Sequence, residues 1–581
     1  MEQAVEDASQ GEALAAPSER WDIRRAMDEG LCRLFQADSS KAYWLAFSAL
    51  AVAALTASAA LFASGCSPIF EMPHDGMLSL DGAWRIFCGQ RPHTDFYSAI
   101  GIVPFLITGL GMLIVGPSAD ALAVGPAALL PLIAAWSWLI ARRRLSAMHA
   151  LAVAAFISFL TVGQFALGYE FRACSYAMQY NRYAWSFLCL LLLEAFIAPL
   201  SRPKPRGLFL EGASTGALLG LLAFTKITYF GLAALAIAFA LARRGREGRR
   251  LGGILAGFLL VVLASAAFLN FDLHAYAADI LMLGRGAKLH EQLSMITVRG
   301  IASALWGLYL LVFALLVWQP GPLVRFRAER YSGLLAAVVI VGLGLVILAT
   351  NSQPSQMPVL VIAAYALFEP AHHAQLSSQV LNRSRGNLRL RFSTGSVLLL
   401  FAIAPFFCAD AGSIAYACLW NRIKGPRMGP AARFQSKSLA SMILPPHTIG
   451  SGKVAPNPNV EELNDGLTLL HAHADASAKV LCFAFENPFS FADLRPCPHG
   501  GALCWDYPRL VNERSYPPPD AVFIDADVIM VPHARGSRCT TFMLEHYGSI
   551  LEARYELRAR SRYWALYRAK THGVGQGAQT P

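Results

Sequence analysis

The sequence predicts a mainly α-helical, polytopic membrane bundle of about eleven transmembrane helices, followed by a C-terminal α/β domain outside the cytoplasm. Three observations predict it. Hydrophobic residues make up 55% of the 581-residue chain and charged residues only 15%, with a mean hydropathy of +0.43. That is more apolar sequence than a soluble core needs. Apolar runs of bilayer-spanning length recur through the chain up to residue 410, and from residue 412 the composition changes to that of a soluble domain. The net charge of +11 does not point to nucleic acid, because the basic residues sit in short clusters between the apolar runs, where they orient helices.

The polar N-terminal segment 1–41 carries a candidate surface helix from Trp21 to Phe35. The first apolar run is long enough to remain as an anchor, so no cleavable signal peptide is expected. Spans are expected at 43–65, 119–141, 148–167, 184–200, 208–225, 227–242, 251–270, 302–319, 333–350, 358–371 and 394–410, within a membrane domain of residues 42–411. Basic clusters at Arg142–Arg144, Arg202/Lys204/Arg206, Arg243–Arg250, Arg325–Arg330 and Arg383–Arg391 fall on alternate loops, on the side of the N-terminus. By the positive-inside rule that side is the cytoplasm of an inner-membrane protein. The run Ile100–Gly116 is short and contains Pro104 and several glycines; it reads as interfacial or re-entrant, since a span there would invert every later loop. The opposite, periplasmic side then receives the loop 66–118 and everything after Asp410.

Within 412–581, a helix is expected over Leu463–Ala476, strands at Lys479–Phe485 and Ala521–Val531, and a closing hairpin over Tyr547–Tyr567. A segment of about 170 residues is large enough for its own core. Cys497 and Cys504 lie in a Pro/Gly-rich outer loop, where an oxidising compartment favours a disulfide; Cys66 with Cys88 is a second pairing. Zinc is the rival, with His499 and His533 nearby, but Cys-x6-Cys is not a zinc spacing.

The stretch from His74 to Tyr97 follows the first hydrophobic helix. Met77, Leu80, Trp84 and Phe87 fall on one side of a helix that has Asp75 at its start, Gly89 past its end and Pro92 beyond. It reads as a short amphipathic helix on the membrane surface. A carboxylate at that boundary suits a substrate with a lipid tail and a polar head. Asp75 has two readings: a helix N-cap, or a general base. Asp81 and Arg85, spaced i, i+4, form a surface ion pair, with a direct catalytic role for Asp81 as the rival. Asp95 sits in a turn; it bonds the nearby backbone and orients the loop, or helps hold a divalent cation. Lys226 stands alone between two apolar segments, a costly position that marks function unless the side chain snorkels. Arg172 and Arg182, beside aromatic residues including Tyr180, suit phosphate and sugar rings, and the loop around Arg285, Lys288, His290 and Glu291 adds charge that can close over a site. Headgroup contact is the alternative for each of these.

An acidic residue, a helix of small residues and then Gly89-x-x-Pro92-x-x-Asp95-Phe96-Tyr97 resembles the first extracytoplasmic loop of the GT-C glycosyltransferases, specifically the bacterial protein mannosyltransferases and lipid A aminoarabinose transferases. One departure is that Asp75 is followed by Gly76 where the superfamily has a second acid. The resemblance implies a GT-C-like membrane domain that takes a sugar from a polyprenyl-phosphate donor, with inversion, and passes it to an envelope glycan, lipid or protein. It implies Asp75 as general base, Lys226, Arg172 and Arg182 on the donor phosphate, and His74, Tyr180 and Arg285 as candidate sugar or acceptor contacts. No cofactor is required and no metal-ligand set stands out, though a divalent cation remains compatible. A flippase of lipid-linked saccharides and a non-catalytic envelope scaffold are the alternatives; polar groups clustered in outer loops rather than at mid-bilayer favour an enzyme over a transporter.

The basic clusters generate a topology test. Reporter fusions at Gly248 should read cytoplasmic and at Gly452 periplasmic; a cytoplasmic signal at Gly452 overturns the placement of the C-terminal domain.

Overall fold

The structure, a computed structural model, describes residues 40–201, 203–244, 247–286, 327–351, 356–367, 394–449, 453–533 and 537–570. The helices of the bundle are α1 Ser40–Ser64, α2 Pro73–Phe87, α3 Ile102–Val115, α4 Ala121–Ala141, α5 Ala147–Val162, α6 Gln179–Phe196, α7 Pro205–Ala223, α8 Ile227–Arg244, α9 Gly248–Phe268, α10 Leu273–Gly286, α11 Arg327–Asn351 and α12 Thr394–Ile423. Among the described residues, five segments are long and apolar enough to cross a membrane: Ser40–Ser64, Ala121–Ala141, Gly248–Phe268, Tyr331–Thr350 and Val397–Ile423. The expected span 302–319 lies outside the described residues, and the run at 358–371 is helical over 359–367. The run Ile100–Gly116 forms α3, whose 14 residues extend about 21 Å, short of a hydrocarbon core of about 30 Å.

Apolar on nearly every side, α6 is buried along its length and forms the centre of the bundle. Glycines set another contact. Gly212 and Gly216 on α7 meet Gly253 and Gly257 on α9 so closely that an added Cβ would come within 2.2 Å of a facing backbone carbonyl. No other residue permits that approach.

After α12 the chain leaves the bundle; the composition change at 412 falls inside this helix. The C-terminal domain contains β1 His447–Ile449, β2 Lys453–Ala455, α13 Pro458–His473, β3 Val480–Cys482, α14 Phe489–Ala492, α15 Pro519–Val522, β4 Val528–Pro532, α16 Arg538–Arg554, β5 Tyr555–Arg560 and β6 Trp564–Ala569. Its main sheet has the order β3-β4-β6-β5, with β3 parallel to β4 and the other pairs antiparallel. Alternation puts Val480, Cys482, Val528 and Met530 on the face packed with α13, and Leu481, Ile529 and Val531 on the face packed with α16. The expected hairpin over Tyr547–Tyr567 begins later, at Tyr555, because α16 continues to Arg554. The expected second strand is likewise shortened: α15 occupies the beginning of that segment.

The sequence reading places α2 on a membrane surface. The structure buries it instead between the bundle and the C-terminal domain, with Met77, Leu80 and Ala83 in one core with Leu463, Leu467 and Trp564. Asp81 and Arg85 therefore form a buried pair, not a surface one, with Arg85 Nε 3.0 Å from Asp81 Oδ2. The freed end of the guanidinium donates from Nη1 to the Pro498 carbonyl at 3.1 Å, Gln90 donates to the Cys497 carbonyl at 2.9 Å, and Trp84 donates to the Arg495 carbonyl at 2.9 Å. Next along, Tyr97 N–H donates to Gly501 and Leu503 N–H to Tyr97, both at 2.9 Å.

That seam also decides the cysteines. Cys497 meets neither Cys504 nor a zinc site: its thiol donates to Cys88, which holds Cys88 down at about 7. His499 is bonded to Asp525 and His533 to the Ser561 carbonyl, and no three metal-ligating side chains gather among the described residues. A thiol of low pKa beside a second thiol oxidises readily. Diamide treatment of the purified chain should yield a disulfide-linked tryptic peptide pair containing Cys88 and Cys497, lost in Cys88→Ser; a Cys497–Cys504 link in its place overturns this arrangement.

Candidate active site

Asp75 is not the N-cap of its own helix. The chain enters α2 through Met72 in the left-handed region (φ 50°), with Pro73 as the first helical residue and no side chain capping. This puts Asp75 in the first turn, and its Oδ2 accepts the backbone N–H of Met178 at 3.0 Å. Met178 precedes α6, so the carboxylate sits at the N-terminal end of a different helix, where its charge is favoured. His74 Nε2 lies 3.8 Å from the other oxygen and turns its ring edge-on to Phe485 at 4.8 Å. Burial raises Asp75 above the ordinary carboxylate range, opposed by His74, the Met178 N–H, Arg509 and Lys226.

Lys226 stands in the turn between α7 and α8, and the chain at the start of α3 fixes that turn. Gly101 N–H donates to Thr225 at 3.1 Å and Val103 N–H to Phe224 at 3.0 Å; a Cβ at Gly101 would meet the Phe224 carbonyl at 2.1 Å. The ammonium lies 4.7 Å from the centre of the Tyr180 ring, a cation–π distance, and 3.5 Å from Asn181 Oδ1. Burial pulls it down to about 7, against the attraction of Asp75 and with repulsion from Arg509. Arg509 comes from the C-terminal domain, where Asp506 holds it at 2.9 Å.

A cavity of about 250 Å³ adjoins this group, with Pro73, His74 and Met77 of α2 on one wall and Glu462, Phe485 and Glu486 of the C-terminal domain on the other. Glu486 is pushed up to about 8 by burial and then by the charges of Asp75 and Glu462. It is therefore mainly protonated at neutral pH, able to donate a hydrogen bond as well as accept one.

The remaining expected residues fall elsewhere. Arg182 is not open to a phosphate: its buried guanidinium pairs with Asp410 of α12 at 2.7 Å and donates to the carbonyls of Phe165 and Leu160. Arg172 is exposed and lies against Phe171. Asp95 accepts the Arg91 N–H at 2.6 Å, the local turn contact. Arg285 stands in the last turn of α10, and Lys288, His290 and Glu291 lie outside the described residues. Asp75, His74, Tyr180 and Lys226 are thus brought together. Glu486, Asp506 and Arg509 join them from the C-terminal domain without a sequence motif; Asp506 between Trp505 and Tyr507 is the local signal there.

No protein-family model matches the chain, and neither does any curated protein. Among solved structures, the chain is similar to ArnT from Cupriavidus metallidurans bound to undecaprenyl phosphate. The TM-score is 0.46 and identity 12%, over 93% of this chain and 100% of that one. For the same protein in the apo state the values are 0.44 and 12%, over 91% and 98%. At this degree of superposition neither match bears on the chemistry of the site.

The protonated Glu486 has a pH consequence. Because the folded chain keeps this proton up to about 8, from an ordinary value of 4.5, the folded state binds more protons than the unfolded chain across that interval, and stability falls as pH rises through it. Glu486→Gln keeps the neutral hydrogen-bonding group at every pH. The melting temperature of the variant relative to wild type should therefore climb between pH 5 and 8, and a constant difference would place Glu486 in contact with water.

Proposed function

We propose that this chain is a membrane glycosyltransferase that moves a sugar from a polyprenyl-phosphate donor to a hydroxyl of an envelope acceptor on the periplasmic face, with inversion. The observation that carries this reading is the placing of Asp75 within the field of two cations from different parts of the chain, Lys226 and Arg509, next to His74, which lines a cavity large enough for a small polar group. The resemblance of the 74–97 stretch to the GT-C first loop supports the same reading.

In the proposed step Lys226 and Arg509 hold the donor phosphate. Asp75 accepts the proton of the acceptor hydroxyl as that oxygen attacks the anomeric carbon, and the bond from the anomeric carbon to the phosphate oxygen breaks. Its electron pair stays on the phosphate, which leaves as polyprenyl phosphate. The leaving group is already anionic, so no strong acid is needed. A carboxylate raised above its usual range is a better base than a solvated one, and nearby cations keep enough of it ionised. Arg509 takes the place that the sequence reading gave to Arg182. A flippase has no use for a basic carboxylate held at this point.

Asp75→Asn separates chemistry from architecture, since the amide oxygen still accepts the Met178 N–H. Transfer by the purified variant should fall at least about a hundredfold with thermal stability and donor binding near wild type; wild-type turnover removes Asp75 as the base. Lys226→Met should weaken donor binding about tenfold or more, the loss of one charged hydrogen bond. Unchanged donor affinity returns Lys226 to a snorkelling role.

A further inference from the structure

A second and larger cleft, about 820 Å³ in volume, opens at the other end of the bundle. The span α4 separates it from Asp75. Asp120, just before α4, accepts from the Cys66 N–H between α1 and α2, whereas Arg142 follows the last residue of α4, and 21 helical residues rise about 30 Å.

The cleft has an apolar wall and a cationic rim. The wall is Tyr43, Trp44 and Phe47 of α1 against Trp138 of α4, with Trp138 at 6.1 Å from Tyr43 and 5.9 Å from Phe47. Tyr43 is fixed by a 2.9 Å hydrogen bond to the Leu145 carbonyl, while Trp44 is 68% exposed. At the rim stand Arg142, Arg143 and Lys204. Beneath them, the buried Arg144 is held by the Ile197 and Ile140 carbonyls. Glu211, the carboxylate on the cleft lining, is shared between Arg144 at 3.3 Å and Arg143 at 3.7 Å, and the buried Glu194 also acts on Arg144. On the lining itself Arg142, Arg143 and Lys204 face Glu211 alone, an excess of two positive charges, and Arg142 and Lys204 have no ion-pair partner among the described residues.

We infer that this cleft binds an anionic phospholipid, with the phosphodiester headgroup on Arg142, Arg143 and Lys204 and the upper acyl chain along Trp44, Phe47 and Trp138. An apolar wall ending in unpaired cations at the level of helix termini fits an amphipathic anion, and the volume lies within the range of about 300–1,000 Å³ of small-molecule sites. A zwitterionic headgroup would set its own ammonium against these cations. The lipid belongs to the leaflet at the basic end of the bundle, so this site is independent of the transferase reading.

The test uses the full chain in phosphatidylcholine nanodiscs containing a minor fraction of brominated-chain phosphatidylglycerol or brominated-chain phosphatidylcholine. The readout is the quenching of Trp44 fluorescence, isolated by subtracting Trp44→Phe. Phosphatidylglycerol should quench Trp44 at a lower mole fraction by about fivefold per engaged cation. The preference should vanish in Arg142→Gln/Lys204→Gln and survive in the charge-keeping Arg142→Lys/Lys204→Arg. Equal quenching by both lipids in wild type overturns the inference, as does a preference that the neutral double variant retains. Both substituted residues are exposed, and neither belongs to the proposed transferase site.

Discussion

Everything near Asp75 depends on the seam where the segment from α2 to Tyr97 is sealed beneath residues 495–503. Burying α2 leaves the Arg85 guanidinium without water, a penalty that one carboxylate only partly offsets. The Pro498 carbonyl accepts from Nη1 of the same group, beside Gln90 Oε1, so the docked C-terminal domain supplies part of what the charge needs. The carbonyls of Arg495 and Cys497 accept from Trp84 and Gln90 in the same way. Docking brings Glu486, Asp506 and Arg509 to a site whose other half, Asp75 and Lys226, belongs to the bundle.

Charge is distributed unevenly within that site. Asp75 is attracted by His74, Arg509 and Lys226 while burial penalises its ionisation, and Lys226 feels the same two opposing effects. Asp75 and Lys226 attract each other without closing an ion pair, in contrast to Arg182 and Asp410 of the bundle, which are joined at 2.7 Å. A closed ion pair and an open group of charges thus look alike in composition and differ in whether the partners are committed to each other.

Much of the bundle was legible because apolar runs of fixed length have few physical alternatives. Lys226 was legible for the same reason: an isolated charge between apolar segments is conspicuous. Arg509 was not, because nothing local marks an arginine that the fold carries to the vicinity of Lys226 across some three hundred residues of chain. Arg182 was misplaced for a related cause. An arginine beside aromatic residues at a helix start has the same pattern whether it awaits a phosphate or serves a carboxylate 228 residues away. Asp75 shows the limit of capping patterns: it lies at a helix start as expected, yet the helix end it serves is that of α6. The burial of α2 was equally invisible, since an amphipathic helix fits a membrane surface and a second domain alike.

The glycine contact between α7 and α9 has a mechanical consequence. Two helices whose backbones touch cannot slide past one another without a carbonyl riding over a Cα, so the pair behaves as a single stiff beam. Lys226 stands just past the end of that beam, in a turn whose preceding residue, Thr225, is clipped to Gly101. A bulkier side chain deep in the α7–α9 contact would therefore be felt at the ammonium as a change of position, transmitted along the beam with every local bond around Lys226 still formed.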